Sequence, residues 1–527
     1  MNELIHQCIL DHARRTPDAP ALSHGAMSLS YAELASQVGA MAALLVKQGL
    51  GRGQRVAVFL EKRIENVVAM FGAAAAGAVF VPINPLLRAD QVAYILTDCN
   101  VTMLVTSTAR LASLDTVVGE CADLQTVFVI ESALPAVPCR WDVRSLPAAL
   151  AAAGTGRPHR IVDIDMAAIL YTSGSTGKPK GVVLSHRNLV SGAASVCSYL
   201  GNGAHDRILA VLPLSFDYGL SQLTTAFYSG ASAVLLNYLG PRDIIDCVRT
   251  ERITGLAAVP PLWAQLARHA WPADSSLRYL TNSGGALPRA TLDLLRTTLP
   301  RAELFLMYGL TEAFRSTYLP PDEIARRPDS IGRAIPNAEV LVLRPDGTPC
   351  GIDEEGELVH RGAQVALGYW NDPLKTAMRF RPLPVQGLPL AEIAVWSGDT
   401  VRMDADGFLY FIGRRDDMMK VSGYRVSPTE IEEVLASCPE VAEVVVFGLP
   451  HAESGDAIAA IVVPNKDATV SIEVLQAHCR KCLPLYMMPT TIVLQATALP
   501  RNPNGKFDRR GLRELLLAQS LEQHETH

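Results

Sequence analysis

The sequence predicts an α/β protein built from more than one domain. Strand-like apolar runs alternate with amphipathic helical patterns along the first 330 residues, which is typical of parallel sheets covered by helices. From about residue 330 to 412, short strands separated by Pro-Asp-Gly, Glu-Glu-Gly and Ala-Asp-Gly turns predict a small antiparallel β unit. A charged cluster at 414–417 then precedes a compact α+β segment. The length of 527 residues, too great for one ordinary core, agrees with this division.

Capping signals and periodicity predict the first elements. Ser30, with Glu33 three residues later, forms a capping-box pattern, and the helix it begins is expected to end at Gly49. The patterns that follow predict a strand at 55–60, a helix to about Gly77, a strand at 79–83, a helix at 90–98 and a strand at 101–105. Residues 132–160, rich in Ala, Pro and Gly, predict a surface connection.

The later part of the chain resumes the alternation. Further strands are predicted at 207–212, 231–236, 254–259 and 277–282. The α+β segment is predicted to contain a helix at 429–437, strands at 441–448 and 456–463, and a helix at 471–483.

Charge and composition argue against several classes of protein. A net charge of −6 and the absence of a long basic run argue against nucleic acid as the main partner. Cys479 and Cys482 are spaced like a redox or metal pair, but with no second pair nearby they predict two thiols on a helix, in a reduced, cytoplasmic setting. No apolar signal core opens the chain, and the longest uncharged run, 67–83, is too short to cross a bilayer. We therefore expect no membrane span.

One glycine-rich stretch, Tyr171-Thr-Ser-Gly-Ser-Thr-Gly-Lys-Pro-Lys-Gly181, predicts an anion-binding loop between a strand and a helix that begins after Ser185. Its glycines leave backbone N–H groups free to surround an anion, and Lys178 and Lys180 add positive charge. It is not the common nucleotide P-loop, because Pro179 follows Lys178 where that pattern requires Ser or Thr. A flexible Ser/Gly linker is the alternative.

Four further motifs follow this loop in order. Tyr308-Gly-Leu-Thr-Glu312 offers an aromatic face, a hydroxyl and a carboxylate, and Ser397-Gly-Asp399 presents a carboxylate in a tight turn. A charged stretch, 413–426, continues to Glu430-Ile-Glu432, and Pro500-Arg-Asn-Pro-Asn-Gly-Lys506 closes the series.

With these motifs the chain strongly resembles the adenylate-forming superfamily of acyl-CoA synthetases, aryl-CoA ligases, amino-acid adenylation domains and firefly-type luciferases. The resemblance covers essentially the whole chain. It implies an amino-terminal domain, 1–414, of two α/β subdomains and a β unit, then a smaller mobile α+β domain, 415–527. The overall sequence pattern, including residues 308–321, is also similar to that of bacterial acyl-CoA ligases that accompany exosortase and polysaccharide export systems.

The resemblance implies a two-step reaction that uses ATP and Mg²⁺. A carboxylate attacks the α-phosphorus of ATP and expels pyrophosphate, and a thiol of CoA or of carrier-protein phosphopantetheine then attacks the acyl-adenylate and releases AMP. It assigns ATP binding to Ser173, Gly174, Ser175, Thr176, Gly177, Lys178, Gly284, Gly285, Ala286, Tyr308, Asp399 and Arg414. In this assignment the loop holds the β- and γ-phosphates, Tyr308 packs on adenine and Asp399 accepts the ribose hydroxyls.

Three residues are implied to be catalytic. Thr311 would bond the α-phosphate, Glu312 would ligate Mg²⁺, and Lys506 would bridge the substrate carboxylate and the α-phosphate. Asp416 matches the family's hinge, and rotation there would bring Lys420 and Gly423 to the path of the thiol. The alternatives are a surface carboxylate at Glu312, a turn former at Asp399, a solvated Lys506 and an ordinary ion pair at Asp416.

The segment Pro213-Leu-Ser-Phe-Asp-Tyr-Gly219 departs from many acyl- and aryl-CoA ligases, because Phe216 stands where they have a histidine. Asp217 resembles the aspartate with which amino-acid adenylation domains bind the substrate's ammonium group. The substrate pocket is assigned to Phe216, Asp217, Ser283, Met307, Arg315 and Ser316. Asp217 and Arg315 would clamp a zwitterion or a polar acid; alternatively, they pair with each other or cap local structure.

Two functions lead. The first is an ATP-dependent ligase that joins a small carboxylic acid to CoA or a carrier-protein thiol. The second is an amino-acid-activating ligase that loads a separate acyl or peptidyl carrier protein, since no Gly-x-Asp-Ser attachment site follows Lys506. A luciferase-like oxygenase has no supporting feature, and a nucleotide-binding regulator would bind ATP without turnover. The sequence leaves open the acid, the acceptor, the oligomeric state and the pathway.

Overall fold

The computed structural model describes residues 3–87, 89–114, 121–134, 141–152, 154, 156–172, 179–383, 391–414, 419–421, 424–451, 455–466, 470–483, 485–503 and 505–524. The chain forms two compact units. The large unit comprises Met1–Val340 and His360–Trp396, and the small unit comprises Leu341–Val359 and Ser397–His527. A larger and a smaller α/β-containing part are confirmed, whereas the boundary between residues 414 and 415 stays a prediction.

In the described residues the helices are α1 Gln7–Arg15, α2 Tyr31–Lys47, α3 Ile64–Ala76, α4 Ala89–Asp98, α5 Thr108–Leu114, α6 Leu146–Ala151, α7 His186–Leu200, α8 Asp217–Ser229, α9 Pro241–Thr250, α10 Pro260–Leu266, α11 Arg289–Thr298, α12 Pro373–Arg379, α13 Pro428–Ala436, α14 Ile472–Cys482 and α15 Arg509–His524.

The strands of the same residues up to Leu319 are β1 Pro20–His24, β2 Met27–Ser30, β3 Arg55–Phe59, β4 Val79–Pro82, β5 Val101–Thr106, β6 Thr126–Val129, β7 Asp142–Ser145, β8 Met166–Thr172, β9 Lys180–Ser185, β10 Arg207–Ala210, β11 Ser232–Leu235, β12 Gly255–Ala258, β13 Tyr279–Asn282, β14 Glu303–Tyr308 and β15 Thr317–Leu319. Those that follow are β16 Ser330–Ala334, β17 Ala338–Leu343, β18 Gly356–Gly362, β19 Gly368–Tyr369, β20 Phe380–Leu383, β21 Glu392–Met403, β22 Leu409–Arg414, β23 Met419–Val421, β24 Tyr424–Val426, β25 Val441–His451, β26 Gly455–Pro464 and β27 Thr491–Leu494.

Two largely parallel strand arrays form the large unit. The first has the order β19-β9-β8-β4-β3-β5-β6-β7, and its last six strands in that order, beginning with β8, pair in parallel. The second runs β16-β15-β14-β13-β12-β10-β11-β1-β2, with parallel pairing from β14 through β1. Strands β4 and β5 are buried along their whole length, which explains their nearly continuous apolar sequences. The predicted α/β class is confirmed.

Local signals set the helix ends as predicted. The Ser30 side chain accepts a hydrogen bond from the Glu33 backbone N–H, and the Glu33 side chain bonds back to Ser30, so the capping box of α2 is confirmed. Gly77 ends α3 in the left-handed conformation, with φ of 86°. Ser185 and Asn188 form a second capping box at the start of α7.

The small unit contains the predicted α+β segment. Strands β24, β23, β26 and β25 pair in that order, and β27 pairs with β26. Helices α13 and α14 contribute to an apolar core with this sheet, formed in part by Val426, Ile431, Leu435, Val446 and Leu475. Elsewhere in this unit β21 and β22 pair in antiparallel fashion, as the turn-rich sequence predicted.

Two expectations from the sequence are wrong. Residues 132–160 are not only a surface connection, because β7 extends the first sheet beside β6 and the Ser145 hydroxyl caps α6. The loop 171–181 does not join a strand to a helix. It joins β8 to β9, which pair in antiparallel fashion. The helix α7 does begin after Ser185, as predicted, but β9 lies between it and the loop. Lys180 therefore starts a strand.

Cys479 lies within α14 and Cys482 ends it, and both are free thiols, as predicted. None of the described helices combines the length and the apolar composition needed to cross a membrane.

Replacing Gly219 by alanine is expected to lower the free energy of unfolding by roughly 1–3 kcal/mol. Gly219 lies in the first turn of α8, and an added Cβ would overlap the carbonyl oxygen of Pro213. Urea unfolding followed by circular dichroism measures the loss. The matched control is Gly203→Ala, because nothing lies within 4 Å of the Cβ it would add. Equal losses in the two variants would contradict the tight approach at Gly219.

Candidate active site

The candidate site begins where β14 ends in the large unit. Tyr308 is the last residue of β14, and Thr311 and Glu312 follow in a single 3-10 turn. Strand β14 pairs in parallel with β13 on one side and in antiparallel fashion with β15 on the other, which fixes the direction in which the turn leaves the sheet. Thr311 and Glu312 are both buried, and Glu312 is 6% exposed.

Glu312 is held by two side chains from the other sheet of the large unit. Lys180 Nζ lies 2.8 Å from Glu312 Oε1, and the Tyr369 hydroxyl donates to the same oxygen at 2.5 Å. Lys180 also donates to the Tyr369 hydroxyl at 2.8 Å. The pairing of β9 with β19 brings Lys180 and Tyr369 together, since Val182 and Tyr369 are partners in its register. One ion pair thus connects the ends of two sheets.

The charges around Glu312 decide its ionisation. Burial alone would raise the pKa of Glu312, but the positive charges of Lys180 and Arg379 and the hydrogen bonds from Lys180 and Tyr369 lower that pKa to about 2. Burial and the Glu312 charge raise the pKa of Tyr369, so its hydroxyl remains a donor. Glu312 is therefore a buried carboxylate that stays ionised at neutral pH.

This carboxylate fits a magnesium ion that arrives with a nucleotide. Mg²⁺ prefers oxygen ligands and usually takes one or two carboxylates, with substrate phosphates and waters completing its shell. In the described part of the chain, no group of three or more His, Cys, Asp and Glu side chains is placed to hold a metal ion. Glu312 is therefore a single protein carboxylate of the kind that Mg²⁺ accepts beside substrate phosphates.

A strained turn separates Glu312 from Arg315. Phe314 adopts φ of 59° and ψ of −65°, and the Arg315 backbone N–H donates to the Ala313 carbonyl at 2.6 Å, which forms a γ-turn. Such positive-φ geometry is unfavourable for a residue other than glycine. The Phe314 ring lies where a side chain on Gly192 would be, so α7 packs directly against the turn.

Arg315, three residues beyond Glu312, is directed into the interior and is 2% exposed. Its Nη1 donates to Ser283 Oγ at 2.8 Å, and its guanidinium carbon lies 4.7 Å from the centre of the Tyr218 ring. The Tyr218 hydroxyl is 2.5 Å from Thr281 Oγ1. The structure therefore brings Arg315 and Ser283 together.

Arg315 and Met307 line a cavity of about 30 Å³ inside the large unit. Helix α8 contributes one face of this cavity through residues spaced at i, i+3, i+4 and i+7, namely Tyr218, Ser221, Gln222 and Thr225. Ala257 of β12 and Thr281 of β13 line the side of the cavity that the sheet forms. The cavity is thus a mostly apolar space between α8 and the sheet, with the Arg315 guanidinium as its charged lining group.

The other predicted pocket residues surround this region. Phe216 precedes α8 and meets the Tyr218 ring edge-on at a centroid distance of 6.2 Å. Asp217 is the first residue of α8 and is 5% exposed. Ser316 is buried, and its hydroxyl lies 3.0 Å from Nδ1 of His360 rather than bordering the cavity.

The predicted adenine-binding residues 284–286 follow β13. Gly284 is in the left-handed region with φ of +83°, and Gly285 and Ala286 are exposed. A Cβ on Gly285 would lie 3.3 Å from Pro260, closer than most contacts allow. The backbone at Gly285 is therefore exposed beside β13, and Pro260 leaves little room for a side chain at that position.

The small unit positions Asp399 and Lys506. Asp399 is buried in β21, and its backbone N–H donates to Ser397 Oγ at 3.1 Å. It stands opposite Arg414 in the β21–β22 register, where the structure describes only the backbone of Arg414. Lys506 is exposed at a turn in which the Asn502 side chain accepts its backbone N–H at 3.1 Å, with Gly505 at φ of +79°.

Several predicted residues lie outside the described residues. They are Ser173, Gly174, Ser175, Thr176, Gly177 and Lys178 of the loop, together with Asp416 and Gly423. The backbone of Lys420 lies in β23, and its side chain is not described.

Sequence reasoning missed Lys180 and Tyr369 as the partners of Glu312, and Tyr218 and Thr281 as pocket residues. The sequence indicates Lys180 only by its charge, and Tyr369 carries no local signal of its role beside Glu312. The apolar run 182–184 after the loop is the sequence signal that could have located Lys180 at the start of a strand.

Lys180→Met is expected to lower the free energy of unfolding at pH 7 by about 3 kcal/mol, because it leaves Glu312 buried without that partner. In the folded wild type the pKa of Glu312 is about 2, below its ordinary value of 4.5. The ionised Glu312 therefore stabilises the fold fully above pH 4.5, and this contribution is lost as the pH falls toward 2. The variant raises that folded pKa, so the difference between variant and wild type should narrow at acid pH. Urea unfolding at several pH values measures this difference in the free energy of unfolding.

The double variant Lys180→Met/Glu312→Gln should recover most of the loss at pH 7, since no charge then remains unpaired. Lys375→Met is the matched control, because Lys375 pairs with Asp372 at the surface and should contribute less than about 1 kcal/mol. A double variant as unstable as Lys180→Met would contradict the role of the ion pair.

Comparisons with known proteins agree with this arrangement. A family model described as AMP-binding enzyme matches residues 9–370, and one described as AMP-binding enzyme C-terminal domain matches residues 430–506. ATP-bound MatB from Rhodopseudomonas palustris has a TM-score of 0.85 at 27% identity, over 98% of this chain and 99% of that one. o-Succinylbenzoate CoA synthetase (MenE) from Bacillus subtilis, in complex with ATP and magnesium ion, has a TM-score of 0.82 at 26% identity, over 96% of this chain and 99% of that one.

Similar sequences include enzymes of very different length. The chain is 30% identical to bacitracin synthase 3 of Bacillus licheniformis over 97% of this chain, but it spans only 8% of that protein. It is 31% identical to L-proline--[L-prolyl-carrier protein] ligase of Pseudomonas fluorescens over 96% of this chain and 98% of that one. With a full-length relative and a family model that covers most of the residues, the chain belongs to the family of AMP-binding enzymes.

Proposed function

We propose that the chain is an ATP-dependent acid–thiol ligase, which activates a carboxylic acid as an acyl-adenylate and transfers the acyl group to a thiol. The observation that carries this proposal is the placement of two opposite charges at one strand end. Glu312 is an ionised buried carboxylate, and Arg315, three residues later, is a buried cation beside a cavity. An anionic ligand of a metal nucleotide and a cationic wall for an acid are the two features that acid activation needs.

The first step joins two anions, so the protein must offset their repulsion. When bound, Mg²⁺ supplies positive charge at the phosphates of the substrate ATP. Glu312 would hold that ion, Thr311 would donate its hydroxyl to the α-phosphate, and the loop 173–178 would bind the β- and γ-phosphates. The acid's carboxylate oxygen then bonds to the α-phosphorus as the bond to pyrophosphate breaks.

The remaining nucleotide contacts are proposed from the predicted residues. Tyr308 and the open backbone at Gly284, Gly285 and Ala286 would accommodate adenine, and Asp399 would accept both ribose hydroxyls. Arg414 would support the ribose and phosphate side. Lys506, which is exposed at a turn in the small unit, would bridge the substrate carboxylate and the α-phosphate while charge develops.

The second step is the transfer to a thiol. The thiol sulfur attacks the acyl carbon, and the bond to AMP breaks. We place the boundary of the moving domain between residues 414 and 415, with Asp416 as the hinge and Lys420 and Gly423 along the path of the thiol. CoA and the phosphopantetheine of a separate carrier protein are the two candidate acceptors. The cysteines of the described residues are all free thiols, which supports a reducing, cytoplasmic location.

A second candidate is an amino-acid-activating ligase that loads a separate carrier protein. Asp217 favours it, because a carboxylate at the start of α8 and 5% exposed is suited to bind a substrate ammonium group. The similarity to a prolyl-carrier protein ligase over nearly the whole of both chains also supports it.

Lys506→Ala is expected to reduce acid-dependent exchange of pyrophosphate into ATP by about 100-fold or more, since the positive charge acts on the transition state of the first step. Thioester formation from supplied acyl-AMP should persist. Lys481→Ala, an exposed lysine of α14 in the same unit, is the matched control and should leave both half-reactions unchanged. Equal loss of both half-reactions in Lys506→Ala would overturn the assigned role.

Pyrophosphate exchange with a panel of fatty, aryl and amino acids separates the candidate functions. The ligase proposal expects exchange that depends on at least one class of acid. Exchange with amino acids supports the carrier-loading candidate, and exchange with apolar acids alone excludes it. ATP binding without exchange for any acid would indicate a nucleotide-binding regulator instead of a ligase.

A further inference from the structure

We infer that the acid carries a second carboxylate, which the buried guanidinium of Arg315 recognises at the inner end of the acid pocket. The inference rests on the proposed function and deepens it, because it names the class of acid: a short dicarboxylic acid, with or without an amino group. Arg315 is then the residue that determines specificity for the end of the acid that does not react.

The first argument is the incomplete set of partners around Arg315. A guanidinium remains protonated in proteins and has five N–H donors. The described residues give it one hydrogen bond, to Ser283 Oγ at 2.8 Å, and one ring contact, with Tyr218 at 4.7 Å. Its Nε is buried without a hydrogen-bond partner, and the whole residue is 2% exposed. A neutral hydroxyl and an aromatic face offset a buried charge only in part.

The second argument is the cavity beside this charge. Its volume is about 30 Å³, and Arg315 lines it together with the α8 face. Gln222 Oε1 and Thr225 Oγ1 belong to lining residues and are buried without hydrogen-bond partners. Buried polar atoms are nearly always hydrogen-bonded, so the residues that line this space carry more unpaired polar atoms than a purely apolar core requires. Most of the cavity surface itself is apolar, and Arg315 is the charged residue that lines it. A single polar end group on an otherwise apolar acid would match that combination.

The third argument is that the chain uses an unfavourable backbone to place this residue. The γ-turn at Phe314, with φ of 59°, directs Arg315 inward. Strained backbone and poorly paired buried charge both reduce stability, and such features persist where function requires them. A second carboxylate would complete the guanidinium with the planar, two-point geometry that it favours.

The size of the cavity limits the acid. A space of about 30 Å³ accepts a group of only a few heavy atoms, such as one carboxylate, and excludes a long or aromatic chain. Asp217 at the start of α8 offers a binding group for an ammonium, so an amino dicarboxylic acid and a plain dicarboxylic acid share the predicted end group. The experiment distinguishes these two sources.

The test is pyrophosphate exchange by the full chain with matched acids. Succinate is compared with succinamic acid, and aspartate with asparagine, because each pair differs only in replacing the second carboxylate by a neutral amide. The expected result is that kcat/KM for at least one dicarboxylate exceeds that for its amide by about 100-fold or more. Preference for succinate over aspartate, or the reverse, decides whether the acid carries an ammonium group.

Arg315→Leu should reduce this ratio of carboxylate to amide to nearly 1, mainly through KM, because only the carboxylate loses its partner. The melting temperature should not fall, since replacing a poorly paired buried charge with a hydrophobic side chain is often neutral or stabilising. Arg326→Leu is the control, because Arg326 is 68% exposed and pairs at the surface. It should keep the wild-type ratio. If Arg315→Leu fails to fold, Arg315→Lys provides the test, with a ratio expected between wild type and 1.

Three results would overturn the inference. They are wild-type preference for the amides, an unchanged ratio in Arg315→Leu, and exchange with apolar acids alone. Each of them leaves the proposed ligase function intact, because acid-dependent exchange is still observed. Absence of exchange with every acid would overturn both proposals together.

Discussion

The ion pair between Lys180 and Glu312 is the interaction on which the candidate site depends. An ionised carboxylate is tolerated in the interior only when cations and donors surround it, and here Lys180 and Tyr369 provide both. Because these two side chains come from paired strands of one sheet and Glu312 follows a strand of the other, the ion pair cannot form unless both sheets are in place. The electrostatic arrangement of the site therefore depends on the assembly of the large unit.

Interactions between neighbouring residues could be predicted from the sequence, and those between distant residues could not. The capping box at Ser30 and Glu33, the left-handed Gly77 and the alternation of strands with helices all depend on residues within a few positions of one another. Lys180 and Glu312 are 132 positions apart, and no local rule connects them. The strand after the glycine-rich loop was missed because periodicity cannot distinguish a short buried strand from the start of a helix.

The surroundings of Arg315 could also be predicted only in part. The family resemblance implied that Arg315 and Ser283 belong to one pocket, and the structure places Arg315 Nη1 2.8 Å from Ser283 Oγ. The direction of Arg315 depends on the positive φ of Phe314, a conformation that the identity of the residue argues against. Positions where local preference is overruled are expected at functional sites, since the surrounding fold must enforce them.

The contact between Gly192 and Phe314 has a consequence for how such a pocket changes during evolution. Gly192 lies on α7, and the Phe314 ring fills the space that any side chain there would need. A substitution at position 192 would therefore displace the turn and redirect Arg315 without touching the pocket itself. Under the proposed role of Arg315, substrate range would be an epistatic trait: changes at 192, 314 and 315 would depend on one another, and the order in which they arise would decide which lineages retain a working enzyme.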